Sequence, residues 1–397
     1  MLSPCYRRQS TLLTASTGLD QAVLLGAALA LFFRPASARL LWLLMVVSTV
    51  SAVVQAPVQS NHTLIRNILL LGYWLSFFTA WARGSDWQAI FRRFAPVGQG
   101  ALLVMYFFGI FHKINSDFLN PLTSCAVALW QKMPVPLRLL EGPMVDYSAI
   151  YGTFLVEGAL IVMLLSRRLR HIGIAGGILF HMLLALSSYA MYITFTVLSI
   201  TLHSLFIGNE AAKAIVSSPE MQSIRARATD PMYLLAFAIT VGLMMLGGIY
   251  GAYSLVTILL LPAVLPFCWL VLRYGKAPGS KTAVRGAGPG LLVGGLTTLL
   301  LFVNCLMPCL GLKSAQAINM FANLRLEAGI SNHLIMPVPG PTAALALGKP
   351  HNGPRRIVQR TIPGSASASV HPMRSDMPAS LLSNFFQCPG IKGSPLN

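Results

Sequence analysis

Apolar residues in this chain do not alternate with polar ones; they run in long blocks separated by short charged or Pro/Gly-rich breaks. A hydrocarbon core about 30 Å thick takes about 20 residues of helix. On that measure the blocks 39–57, 65–82, 98–112, 149–166, 172–188, 191–207, 231–250, 254–272 and 289–309 each predict a membrane-crossing helix. A shorter block, 18–33, opens with Asp20 and reads either as a tenth span or as a helix lying at the interface. The pattern therefore predicts an all-α, polytopic transmembrane helical bundle of about nine or ten spans. Two segments depart from it. Residues 114–148 mix Phe118, Leu119, Trp130, Leu137 and Leu139 with prolines, which suggests a surface-lying or re-entrant piece over the bundle. Residues 337–397 hold ten prolines and one acidic residue, Asp376, with no helical or strand period, and are expected to be disordered. The chain thus divides into an N-terminal segment 1–17, a transmembrane domain 18–312, a short segment 313–336 after the last span, and the tail 337–397.

Composition agrees with the blocks. Only 10% of the 397 residues are charged and 55% are hydrophobic, against about 25% charged in a soluble domain. The net charge of +18 is not a nucleic-acid signal, because Lys and Arg fall in clusters between apolar spans: Arg34 and Arg39; Arg83, Arg92 and Arg93; Arg167, Arg168 and Arg170; Lys213, Arg225 and Arg227; Arg273, Lys276, Lys281 and Arg285. The intervening loops 58–64, 114–148, 189–190 and 251–253 are poor in Lys and Arg. The positive-inside rule places the basic loops in the cytoplasm, and 113–148 and the chain after 310 on the opposite side. The six cysteines show neither CxxC nor Cys/His spacing, so neither a metal site nor a disulfide framework is indicated. Cys305 and Cys309, four apart on an apolar helix, read as small packing side chains.

Charged and polar residues inside spans cost at least about 2.5–3.5 kcal/mol on insertion scales, and so mark candidate function. Glu157 lies midway along 149–166 and His181 midway along 172–188; Lys113 ends 98–112 at its outer edge; His203 lies near the inner end of 191–207, where an interfacial position is expected. A mid-membrane carboxylate has to be protonated, paired or hydrated. Tyr106, Gly109 and Lys113 fall on one helical face, with Gly109 leaving space below the lysine. A lysine facing protein rather than water can be neutral and act as a base.

The run Tyr106–Leu119, YFFGIFHKINSDFL, resembles the motif of the HTTM family, the membrane domain related to vitamin K-dependent γ-carboxylases. Tyr106, Phe107, Gly109, Lys113, Asp117 and Phe118 follow its order, although His112 stands where a second lysine is common. The Glu157 helix ending in Ser166-Arg167-Arg168, the run Phe180-His181-Met182, and Lys313–His333 with Asn323-Leu324-Arg325 and Ser331-Asn332-His333 extend the resemblance over roughly 10–336. The resemblance implies a short bacterial-type member in the inner (plasma) membrane that binds a reduced, vitamin K-like quinone. In that role Lys113 is the base that takes the quinone's hydroxyl proton, His181 and Glu157 orient or relay protons, and Tyr106, Gly109 and Asp117 contact the cofactor. Such an enzyme is a carboxylase-like lyase or a quinone-dependent oxidoreductase, its acceptor a small molecule, a lipid or a peptide. The carboxylases carry a large outer domain that binds the propeptide of the substrate protein; with the residues that follow the last span here, protein-directed Glu carboxylation is not the expectation. The alternative is a non-catalytic membrane protein binding lipid, quinone or a partner protein, in which the same polar residues fix helix packing. No internal repeat of the kind transporters carry is evident.

Overall fold

The computed structural model describes residues 22–336, apart from 32, 35–36, 55–60, 85–86, 135–139, 188–189, 228–229, 277–288, 311, 313–316, 320, 325 and 328–329. The segment 1–17 and the tail 337–397 lie outside the described residues, as does the start of the 18–33 block.

The described chain is helical: α1 (Ala22–Leu31), α2 (Ala38–Val54), α3 (Asn61–Trp81), α4 (Trp87–Phe111), the short α5 (Ser116–Leu119) and α6 (Cys125–Trp130), α7 (Pro143–Leu165), α8 (Arg170–Ala185), α9 (Ala190–Ser204), α10 (Asn209–Val216), α11 (Pro219–Arg227), α12 (Pro231–Ile249), α13 (Tyr253–Tyr274) and α14 (Pro289–Leu306). A two-residue antiparallel ladder, Leu326–Glu327 with Ile330–Ser331, follows. Five helices are long and apolar enough to cross a membrane, namely α3, residues 89–111 of α4, α7, α12 and α13. The pair α9–α10 makes a sixth, bent by 106° at its break, while α1, α2, α8 and residues 290–306 of α14 are apolar helices of 10–17 residues. The chain is thus a multi-pass integral membrane protein; each of the nine longer predicted blocks coincides with a helix, but only five of the described helices, or six with the bent pair, are long and apolar enough to cross rather than nine or ten.

Packing follows from small residues and from lipid. Helices α4 and α14 cross closely because Gly290 and Gly294, four apart on α14, face Arg93 and Pro96, where a Cβ would collide; small residues at that spacing let backbones approach in lipid. Helix α12 buries only Gly247, so its Leu, Met and Phe side chains face the hydrocarbon. The span ending in α9 is interrupted: Gln99 of α4 donates from its side-chain amide to the Leu205 carbonyl (2.8 Å), satisfying a backbone group that the break would otherwise strand. Cys268, Cys305 and Cys309 are buried free thiols; Cys125 is disulfide-bonded, which the spacing of the cysteines does not indicate.

The predicted piece over the bundle is formed by α5 and α6, which bury Phe118, Cys125, Ala126, Val127 and Leu129. The segment after α14 clasps it. Asn323 accepts from the Cys125 amide (2.8 Å) and donates to the Thr123 carbonyl (2.9 Å); Asn115 donates to the Ala322 carbonyl (2.5 Å); the Leu334 amide donates to the Ile114 carbonyl (3.0 Å). The path is tight enough to force Ile318, Phe321 and Asn323 to positive φ, 57°, 56° and 55°, a conformation costly for a β-branched residue. The Ile318 amide donates to Asn61 Oδ1 (3.0 Å), which pins that turn to the start of α3.

Candidate functional site

Helix α4 ends at Phe111, and the turn after it carries Lys113 inward. The lysine is 7% exposed, and its Nζ lies 2.5 Å from Glu157 Oε1 on α7. Gly109, one turn earlier, makes room for the carboxylate, since a Cβ there would sit 3.2 Å from Glu157 Oε2. An ion pair removed from water survives only with close geometry, and this pair has it. The second carboxylate oxygen, Oε2, is buried without a hydrogen-bond partner.

Beneath the pair lies a second polar group. The Tyr106 hydroxyl is 3.1 Å from His181 Nε2 on α8 and 3.0 Å from His203 Nε2 on α9. The direction of these bonds follows from the far end of the chain. His203 Nδ1 is 2.7 Å from the Ser199 carbonyl, which can only accept, so Nδ1 carries the proton. In the neutral ring Nε2 of His203 is then an acceptor and the Tyr106 hydroxyl donates to it. That hydroxyl in turn accepts from His181 Nε2–H. His181 is left with a bare Nδ1, which is buried and has no partner.

Both orphan acceptors belong to residues lining one cavity of about 270 Å³. Its walls are largely apolar and aromatic, with Phe118, Trp130, Phe180, Tyr192, Phe195 and Phe321 around Tyr106, Gly109, Lys113, Glu157 and His181. Tyr192 and Phe321 stack with centroids 4.7 Å apart, so the clasp after α14 closes one wall. Four separate helices, α4, α7, α8 and α9, supply the polar set. Among the described residues no three His, Cys, Asp or Glu side chains gather in a metal-binding arrangement.

Five of the six candidate residues read from the sequence, Tyr106, Gly109, Lys113, Glu157 and His181, line this cavity. Asp117 does not. The backbone turns at Asn115, whose side chain accepts from the Phe118 amide, so Phe118 is buried while Asp117 is half-buried in the first turn of α5. His203 is a correction: it is fully buried rather than interfacial, because the span breaks after α9 and its inner end stays within the bundle. Gly177 was not singled out either, yet a Cβ there would strike the His203 ring. The sequence signal was present in Ser199 and His203, four apart on one helix, and in Gly177 facing that histidine.

Comparisons with protein-family models, curated proteins and solved structures give no match.

Proposed function

We propose that the cavity binds a reduced quinone and that the chain is a quinone-dependent enzyme of HTTM type. The carrying observation is the pair of buried acceptors without partners, Glu157 Oε2 and His181 Nδ1, on one aromatic-lined cavity. A buried polar atom left unsatisfied costs about 1–3 kcal/mol. A flat apolar ring bearing hydroxyl groups would offer donors to these acceptors and suits aromatic walls. The order of Tyr106, Gly109 and Lys113 supports the same reading through the family resemblance. A reduced quinone, when bound, supplies the reducing equivalents and the oxygen-dependent chemistry that the resemblance implies.

The chain's part in the chemistry is proton handling in a site shielded from water. Glu157 Oε2 is the atom open to take a hydroxyl proton. Lys113 Nζ, 2.5 Å from Oε1, holds the carboxylate in place and keeps a positive charge beside it. The base is therefore the Lys113–Glu157 pair acting together. His181 Nδ1 accepts the second hydrogen bond and orients the ring, with its tautomer set by Tyr106, His203 and Ser199.

Paired redox probes test this. Menadiol, with two hydroxyl donors, is expected to bind about tenfold or more tighter than menadione, which has none, and His181→Phe should remove about tenfold of menadiol affinity. Equal binding of the two forms would end the reading. Quinol-dependent oxygen uptake should vanish in Lys113→Met. The non-catalytic reading is favoured by one feature, the mutual neutralisation of Lys113 and Glu157. It predicts that His181→Phe lowers thermal stability in detergent and leaves quinol binding unchanged.

A further inference from the structure

At the opposite end of the bundle, the basic loops form a second hollow, of about 660 Å³. Its lining includes Arg167, Arg168 and Arg170 from the α7–α8 turn and Lys276 after α13, with His171 below them. No acidic residue lines it. Arg273 nearby is partnered, 3.8 Å from Glu220, but none of these four cations has an acidic partner among the described residues. Arg170 uses Nε to hold the Leu164 carbonyl (3.0 Å), which fixes it at the rim. Like charges gathered without a counterion repel each other, so this arrangement favours an anion.

Two further observations point to what the anion is. His171 is 4% exposed and lines the pocket, so its imidazole adds a hydrogen-bonding group beside the four cations. Gly208, just before α10, also lines it and gives the helix no side-chain cap; Glu210 in the first turn lies outside the lining and pairs with Lys213 (3.1 Å). The remaining wall is apolar, with Phe206, Ile207 and Val271. At the rim Leu169 and Ile172 are each 41% exposed. A free phosphate has no use for such a wall; a phosphate carrying acyl chains does.

We propose that this hollow is a binding site for the phosphate headgroup of an anionic phospholipid on the face carrying the basic loops, which is cytoplasmic by the positive-inside rule. The proposal is independent of the quinone reading. Native mass spectrometry of the full chain in detergent, with added phosphatidylglycerol, phosphatidylcholine or inorganic phosphate, tests it. Phosphatidylglycerol should be retained in preference to phosphatidylcholine. The double variant Arg167→Gln/Arg168→Gln should weaken that retention roughly 30-fold, the worth of two cations near a membrane surface. The control Arg83→Gln/Arg225→Gln, which removes the same charge from exposed positions of other basic loops, should leave it unchanged. Equal loss in the control would mean diffuse surface charge. Equal retention of the two lipids, or phosphate alone binding with the same dependence on Arg167 and Arg168, would equally overturn a lipid site.

Discussion

The two hollows of this protein share helix α8 and solve the problem of buried charge in opposite ways. His181 lines the outer one and His171 the inner one, ten residues apart on the same helix, or about 15 Å of rise. The outer cavity contains one cation and brings its own counterion, Lys113 with Glu157. Its openings are for hydrogen bonds: two acceptors without donors. The inner pocket gathers four cations and brings no acid. Its opening is for charge. Selectivity follows from what each leaves unsatisfied, so the outer cavity suits a neutral donor-bearing ring and the inner pocket an anion.

The sharpest way to break the comparison is to remove one charge from each hollow. Lys113→Ala or Glu157→Ala strands a buried charge and should cost about 3–5 kcal/mol, whereas replacing both by apolar residues of similar volume should recover most of that loss. Arg168→Gln, in the pocket where cations already repel, should change stability by no more than about 0.5 kcal/mol. Thermal and denaturant unfolding in detergent, without added lipid, reads both. A smaller effect is expected from Gly177→Ala. The new methyl would occupy the space of the His203 ring, so about 1–3 kcal/mol should be lost. The double variant Gly177→Ala/His203→Ala should lose less than the sum of the singles, since both act on one contact.

What was legible in the sequence was whatever the bilayer makes expensive. Glu157 and His181 stood out because apolar runs do not tolerate them, and the spacing of Tyr106, Gly109 and Lys113 placed all three on the side that meets Glu157. What was not legible depended on where chain directions change. The break after α9 turned His203 from an apparent surface residue into the anchor of the Tyr106 network. The turn at Asn115 sent Phe118 inward and left Asp117 off the cavity. The clasp by Asn323 joins residues about 200 apart in sequence, Cys125 to Asn323, and no local pattern encodes a pairing over that range. The inner pocket was hidden for a different reason: its cations are what the positive-inside rule already explains, and only their convergence around a buried His171 distinguishes them from ordinary loop charges.

The smallest predicted effect concerns the clasp over the outer cavity and its response to pH. His333, in the clasp over the outer cavity, donates from Nε2 to the Phe111 carbonyl (2.9 Å) and accepts at Nδ1 from the amides of Ile335 and Met336 (3.2 Å each). Both ring nitrogens are thus used in the neutral form, and a second proton on Nδ1 would displace two amide donors. Burial pushes the imidazole below its ordinary value of 6.5, against the opposing pull of the Phe111 carbonyl. A histidine whose folded-state value is depressed binds fewer protons when folded than when unfolded. Stability therefore rises with pH in this window: the His333 contribution is complete above 6.5 and is lost as pH falls from 6.5 toward the lowered folded value. The arginines of the inner pocket stay charged throughout, but His171 beside them is itself an imidazole, so the variant at His333, not a comparison of the two ends, isolates this slope. Unfolding midpoints measured from pH 7.5 down to pH 5 should fall more steeply for the wild type than for His333→Gln, whose amide can still donate to Phe111 but does not titrate. Parallel slopes for the two proteins would remove His333 from the clasp's pH response.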